Sequence, residues 1–446
     1  MIKSIYADAD TTIYEKTGSM NTGLDPVLEL HKVSSSAGIF NSRVLIKFPL
    51  SSISSSILSG DIINPKYYLN LYQTSTREVP LQYTLIAYPV SQSWVTGTGK
   101  KIDPVSINQF TKAGSSWTYR NKEHPTTEFI SARDVQWTSR SLNNDGSTPD
   151  SVLTAGSTMV YSSVTGGGTW YHEAYGSQSF NHESADLRMD ITPVVNYLIG
   201  TGSNYTGVSK MKINGENDGF ILLRSGSQET GVEPYGANSF FSRETNTVYQ
   251  PRLEVVYDDS SFNSAGLTEL SSDQSVVYLK NLKHEYSQKE TPKLRIVGRD
   301  RYPVKTFATS SNYKTIKFLP TSSYYSVKDA ITEEFVIPYS NLGTKLSCDS
   351  DGNFIKLEMS SFMPERYYKM CFQVTQSDSS VVIYDENFYF SSASISSCKS
   401  NSRTIYSRSS KKYCKSRISN SSKCFSKYIN CTIWTNEPSC RELGPS

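Results

Sequence analysis

Asp8 and Asp10 lie two apart in the opening run Ala7-Asp8-Ala9-Asp10-Thr11-Thr12-Ile13-Tyr14, which puts both carboxylates on one face of a strand. Glycan hydrolysis asks for two carboxylates about 5 to 10 Å apart, but a pair in an opening strand better serves as a loop cap or as ligands of a structural calcium ion. Asp349-Ser350-Asp351-Gly352-Asn353 has its glycine two positions early for an EF-hand loop and no distal Glu, so it reads as a hairpin turn. The five histidines, His31, His124, His172, His182 and His284, are scattered without metal-ligand spacing, and no G-x-S-x-G elbow occurs. Gly166-Gly167-Gly168 lacks the Lys-Ser/Thr and following helix of a phosphate cradle and reads as a flexible loop. These patterns predict no enzyme and no cofactor beyond a structural calcium.

Sugar recognition needs less machinery: a ring for the C–H face of a pyranose, with polar side chains beside it. Trp94, Trp117, Trp137, Trp170 and Tyr171 fall in or beside a loop-rich middle stretch, and Arg43, Lys47 and Arg243 could form a basic complement to an acidic glycan.

The elements around these residues read as β-structure. The 446-residue chain contains 30 Tyr, with apolar residues in short runs broken by turn residues, which predicts an all-β protein of two or three units. Tyr67, Leu69 and Leu71 alternate, as do Leu253, Val255 and Tyr257. One short helix is expected at 192–198, with Thr192 as its cap and Pro193 in the first helical position. Residues 100–186 hold Gly/Ser/Asn-rich insertions, including Asn143-Asn144-Asp145-Gly146, that should be surface loops. A polar linker at 258–265 ends the first domain. Beyond it six candidate strands, Leu294–Val297, Thr315–Phe318, Glu334–Ile337, Phe354–Leu357, Lys369–Phe372 and Val382–Tyr384, suit a smaller immunoglobulin-like β-sandwich over 266–390.

After 390 the pattern breaks: residues 391–446 hold ten Lys/Arg against Glu437 and Glu442, and five of the seven cysteines. That stretch reads either as a disordered basic tail or as an out-of-frame translation of AT-rich DNA. The remainder is mildly acidic, which argues against a nucleic-acid binder. An odd number of cysteines crowded into one irregular segment is a poor disulfide framework. No apolar run is long enough for a membrane span, and Met1–Asp8 lacks the hydrophobic region of a signal peptide, so neither insertion in a membrane nor export by the usual route is expected.

One series of landmarks runs through the first 257 residues: the opening strand, Asn21-Thr22-Gly23, Arg43–Phe48, Tyr67–Tyr72, Ser93-Trp94 with Gly97-Thr98-Gly99, Ser116-Trp117, Met189–Val195, Gly219–Leu223, Ser242-Arg243-Glu244 and Pro251–Tyr257. In order and spacing this resembles the DNRLRE family of β-sandwich domains, which is similar to carbohydrate-binding module family 96. The resemblance implies a jelly-roll-like β-sandwich with long loops over 1–257 and a carbohydrate-facing role. Trp94 and Trp117 match positions of the family pattern and are assigned to the core. Trp137, Trp170 and Tyr171 fall outside it and are the expected ligand contacts. Arg301–Thr306, with Tyr324–Ala330, looks like accessory domains in virion proteins of tailed phages.

A glycan-facing sandwich without a leader fits a phage particle, whose proteins assemble in the host cytoplasm and meet surface polysaccharide after lysis. The expected function is therefore a non-enzymatic tail-fibre, baseplate or decoration protein that binds a surface glycan or neighbouring virion proteins, as a homo-oligomer because virion components repeat. The alternative is the glycan-binding portion of a secreted bacterial polysaccharide-degrading enzyme.

Overall fold

The computed structural model describes residues 1–123, 134–137, 166–171, 174–181, 185–200, 217–270, 275–303, 316–375, 379–385, 388–393, 405–409 and 412–416. Met1–Ser392 forms one compact unit and Ala393–Ser446 another. The protein is all-β, built of antiparallel sheets.

In the first part of the large unit, a four-stranded sheet runs in the order Ile2–Tyr6, Arg252–Val256, Lys66–Leu71, Leu187–Asp190. It faces a larger sheet ordered Gly176–Phe180, Tyr83–Pro89, Phe220–Arg224, Gly38–Lys47, Val27–Ser35, Gly236–Phe241, Gln73–Arg77, with Ala9–Tyr14 paired to Gly38–Lys47. The predicted alternation holds: Tyr67, Leu69, Leu71, Leu253 and Val255 all enter the core between the two sheets. The centre of the larger sheet does not alternate between apolar and polar. Val44, Ile46, Leu85, Ala87, Phe220 and Leu222 enter that core, while their neighbours Leu45, Ile86, Tyr88, Ile221 and Leu223 enter a second one on the opposite face. Continuous apolar runs are what a strand buried on both faces requires.

The second core is closed by the insertions expected to be surface loops, in so far as they are described. Trp94, Trp117, Trp137 and Trp170 all pack there. The Gly166-Gly167-Gly168 segment is a packed strap rather than a flexible loop: Gly167 has φ +82 and accepts a hydrogen bond from Arg43 Nη1 at its carbonyl. A Cβ on Gly167 would lie 2.5 Å from that nitrogen and 2.9 Å from Trp117 Cζ2. Asn143-Asn144-Asp145-Gly146 lies outside the described residues.

Asn21 ties the family-like landmarks together. Its Nδ2 donates to the carbonyls of Thr96 and Ser115, both at 2.7 Å, and its Oδ1 accepts from Gly99 N at 2.8 Å and Gly23 N at 3.2 Å. A Cβ on Gly97 would come within 2.5 Å of the Asn21 amide, and one on Gly99 within 2.2 Å of the Asn21 carbonyl, so those glycines are required by close approach.

The expected helix spans Thr192–Ile199, but Thr192 is not its cap. The Thr192 hydroxyl is taken by the Tyr67 N–H at 2.9 Å, and Asp190, at the end of its strand, accepts the Thr192 N–H instead. Gly200, at φ 71, closes the helix.

Beyond the polar segment at 258–265 comes a second sandwich. One sheet is ordered Ser275–Leu279, Lys293–Asp300, Gly352–Lys356, Ser347–Asp349. The other is ordered Glu285–Ser287, Tyr389–Ala393, Tyr367–Thr375, Ser323–Asp329, Phe335–Ile337, with Val381–Tyr384 also on Tyr367–Thr375. Its core gathers Val277, Leu294, Ile296, Tyr325, Val327, Met370, Phe372 and Phe390. Of the candidate strands, only Thr315–Phe318 is replaced by isolated bridges, at Lys317 and Phe318; Thr315 lies outside the described residues. The Asp349–Gly352 turn joins two paired strands, and Lys293 and Arg295 occupy the Asp349 carboxylate.

The two sandwiches meet along Ile2–Tyr6. Ile2 and Val256, carried by the first, are members of the second core. Ser4 N donates to Ser361 Oγ at 2.9 Å, and Tyr6 Oη donates to the Ser361 carbonyl at 3.2 Å. In the separate C-terminal unit, Ile405–Ser409 pairs antiparallel with Lys412–Ser416.

Candidate functional site

The residues expected to face a ligand are mostly buried. Trp137 is 2% exposed, Trp170 0% and Tyr171 4%. Trp137 Nε1 donates to the Ser116 carbonyl at 2.8 Å, and Tyr171 packs on Tyr197 at 5.2 Å. None of the three offers an open ring to a sugar, so the division between core and loop tryptophans is corrected: all four lie in one core. Arg43 is buried beside them, its guanidinium 4.7 Å from the Trp117 ring and 5.1 Å from the Trp170 ring, with Nε donating to Glu229 Oε1 at 2.8 Å. The structure thus brings Arg43 and Trp170 together, but as internal packing.

Arg243 donates to the carbonyl of Asp8, and its backbone N–H donates to Asp10 Oδ2 at 2.6 Å. Asp8 is exposed while Asp10 is 1% exposed, and the Arg243 guanidinium meets the Asp8 backbone carbonyl and Glu244 rather than either Asp carboxylate. Burial, opposed by the Arg243 N–H, pushes the Asp10 carboxyl up to about 7. Among the described residues no three His, Cys, Asp or Glu side chains group to hold a metal. Lys47 is half-buried, its carbonyl accepting the Asp8 N–H at 3.0 Å. His124, His172 and His182 lie outside the described residues.

The arrangement best suited to ligand recognition lies elsewhere, in a cleft of about 220 Å³ where the two sandwiches meet. The first sandwich contributes Tyr6 at the end of its opening strand, Tyr72 just past Lys66–Leu71, Asp186, Val248, Tyr249 and Arg252. The second contributes Asp329, Thr332, Glu334, Phe335 and Val336 around the Ser323–Asp329/Phe335–Ile337 turn, and Met363, Arg366 and Tyr368.

Its aromatic wall is Tyr72 against Tyr249, with centroids 5.1 Å apart, backed by Phe241 stacked on Tyr249 at 5.6 Å. Tyr6, Tyr72 and Tyr249 are half-buried, each retaining exposed area, while Tyr368 is buried and donates to the Met363 carbonyl at 3.0 Å. Burial raises the Tyr249 phenol, and the Glu334 carboxylate adds to the shift. Burial also raises the Tyr6 phenol, with Arg252 opposing it. The Tyr6 and Tyr249 phenols therefore stay neutral across physiological pH, and with the Tyr6 donor spent on the Ser361 carbonyl the wall offers chiefly ring faces.

The polar groups are held in place. Asp329 accepts the N–H groups of Ile331 and Thr332 at 2.9 and 3.0 Å and pairs with Arg366 at 2.8 Å. Burial alone would raise its carboxyl; the two amides and Arg366 outweigh that and hold it below the usual carboxylate value. Arg252 reaches the Val336 carbonyl at 3.4 Å and lies 3.9 Å from Glu254. A second depression, wider and shallow, is lined by Asp25, Glu29, Lys101 and Ile102 among others and has no aromatic ring.

Sequence reasoning missed the cleft because its residues come from separate segments and no two share a motif. The abundance of tyrosine was legible only as a sign of β-structure.

No family model matches the chain, and no curated protein matches it. Among solved structures, the adhesin domain of Epf from Streptococcus pyogenes is similar at 9% identity over 82% of this chain and 77% of that one, with a TM-score of 0.15. At that TM-score the likeness bears on neither mechanism nor ligand.

Proposed function

We propose that the chain is a non-enzymatic adsorption or assembly protein of a tailed-phage particle, and that it recognises a surface glycan in the cleft between its sandwiches. The observation that carries this reading is the Tyr72–Tyr249 wall beside fixed carboxylates and guanidinia, which matches the amphipathic surface of a sugar. The order of landmarks in residues 1–257 supports a carbohydrate-facing role. Calcium has no part in this reading.

The test is direct. The full chain should bind some members of a glycan array, and Tyr249→Ala should lose at least about tenfold in affinity for them, or about 1.4 kcal/mol. Mass spectrometry of purified particles should find the chain among virion proteins. Release of reducing ends from a bound polysaccharide would replace this reading with a hydrolase.

A further inference from the structure

The cleft's charge and size narrow the ligand class, on the premise that it binds glycan at all. Asp186, Asp329 and Glu334 face it against Arg252 and Arg366, three carboxylates to two guanidinia. Both arginines already face partners, Arg252 more loosely than Arg366 and with its Nε unpartnered. Arg366 is engaged by Asp329 at 2.8 Å. Arg252 has Glu254 at 3.9 Å behind it and the Val336 carbonyl at 3.4 Å. An incoming carboxylate would compete with those partners while approaching an excess of like charge, in which Glu334 is exposed and its repulsion open to screening by salt. The exposed Glu334 carboxylate is an acceptor for hydroxyl groups, which a neutral sugar supplies in number. The volume of about 220 Å³ falls below the range typical of drug-sized ligands, which limits the occupant to about one ring.

We infer that the cleft takes one uncharged pyranose unit and discriminates against its uronate counterpart. This reverses the acidic glycan anticipated from Arg43, Lys47 and Arg243, of which Arg43 is buried against Glu229 and Arg243 is turned to Asp8 and Glu244.

Calorimetric titration of the full chain tests this with matched pairs of oligosaccharides that differ only in a C6 hydroxymethyl or carboxylate: glucose against glucuronate, galactose against galacturonate, mannose against mannuronate. The neutral member of the bound pair should win by about tenfold or more at low ionic strength, and added salt should narrow the gap. Glu334→Gln, at an exposed position, should narrow it too by strengthening uronate binding, and Tyr249→Ala should weaken both members. Equal or tighter binding of the uronate would overturn the inference and leave glycan recognition standing, as would a preference for the neutral sugar that ignores both salt and Glu334→Gln. Failure of every pair, neutral and acidic, would remove the glycan reading and this inference with it.

Discussion

Glu229 is 2% exposed, and its ion-pair partner Arg43 is sandwiched between two indoles, so breaking this pair from either side is expensive. Arg43→Ala should lower unfolding free energy by about 3 to 5 kcal/mol because it strips a buried carboxylate of its ion-pair partner. Urea denaturation measures it, and Arg43→Met with Glu229→Gln should recover part of the loss. Trp137→Ala and Trp94→Ala should each cost about 3 to 5 kcal/mol, and neither should change glycan affinity at a temperature where the chain is folded. Asp10 gives a pH signature. Its carboxyl ordinarily titrates at 3.8 but in the folded chain near 7. Across that window the folded state keeps a proton that the unfolded state has released, so stability from this group is full at low pH and is lost as pH rises towards 7. His31 works in the opposite sense: burial lowers it from 6.5 to about 4, so falling pH through that range favours the unfolded, protonated form. The two slopes oppose one another in the wild type. Asp10→Asn keeps an acceptor for the Arg243 N–H but cannot ionise, so its stability relative to wild type should rise steadily between about pH 4 and 7. A flat difference across a pH series of urea melts would refute the assignment.

Strands show which parts of this fold were legible and which were not. Alternation at Tyr67–Leu71 and Leu253–Tyr257 marked one-sided burial, and both segments form the sheet that faces the main core. The runs Val44-Leu45-Ile46 and Phe220-Ile221-Leu222-Leu223 carried a further message, that both faces of the larger sheet are covered. Something had to supply that second cover, and the tryptophans of the insertions do. Their placement could have been inferred from the unbroken apolar runs, whereas distance from a family pattern pointed the wrong way. The Asn21, Gly97 and Gly99 landmarks prove to be one knot of backbone-directed hydrogen bonds, which is why small residues recur there. Asn21→Asp would lose both Nδ2 donors and leave the Thr96 and Ser115 carbonyls without them, at about 1 to 3 kcal/mol for each buried group. Its melting temperature should therefore fall by many degrees, and near-wild-type melting would show that the knot is dispensable. The cleft was illegible for a different reason: its tyrosines become neighbours only when two sandwiches dock, and no local periodicity encodes that.

Docking is the feature on which the cleft depends, and the contact is built like a core rather than like a linker between independent modules. Ile2 and Val256 leave the first sandwich to complete the hydrophobic centre of the second, and Ser361 receives donors from both Ser4 and Tyr6. Interfaces between domains that move are usually more polar than this. Gly343 sits against the contact: a Cβ there would meet Ile2 Cγ1 at 2.7 Å and Val256 Cγ1 at 2.8 Å, and both of those side chains are buried. Gly343→Val therefore acts as a wedge between the sandwiches while leaving each one's own strands untouched. Calorimetry of the wild type should show the two sandwiches melting in one cooperative transition, and the variant should split it, the first component moving down in temperature. Because Tyr6 and Arg252 reach the cleft from the strands that the wedge displaces, glycan affinity should fall in the same variant at temperatures below the first transition. A variant that melts as the wild type does but still loses affinity would place the coupling in the cleft alone, and one that splits the transition yet binds normally would show that the tyrosine wall does not need the docked geometry.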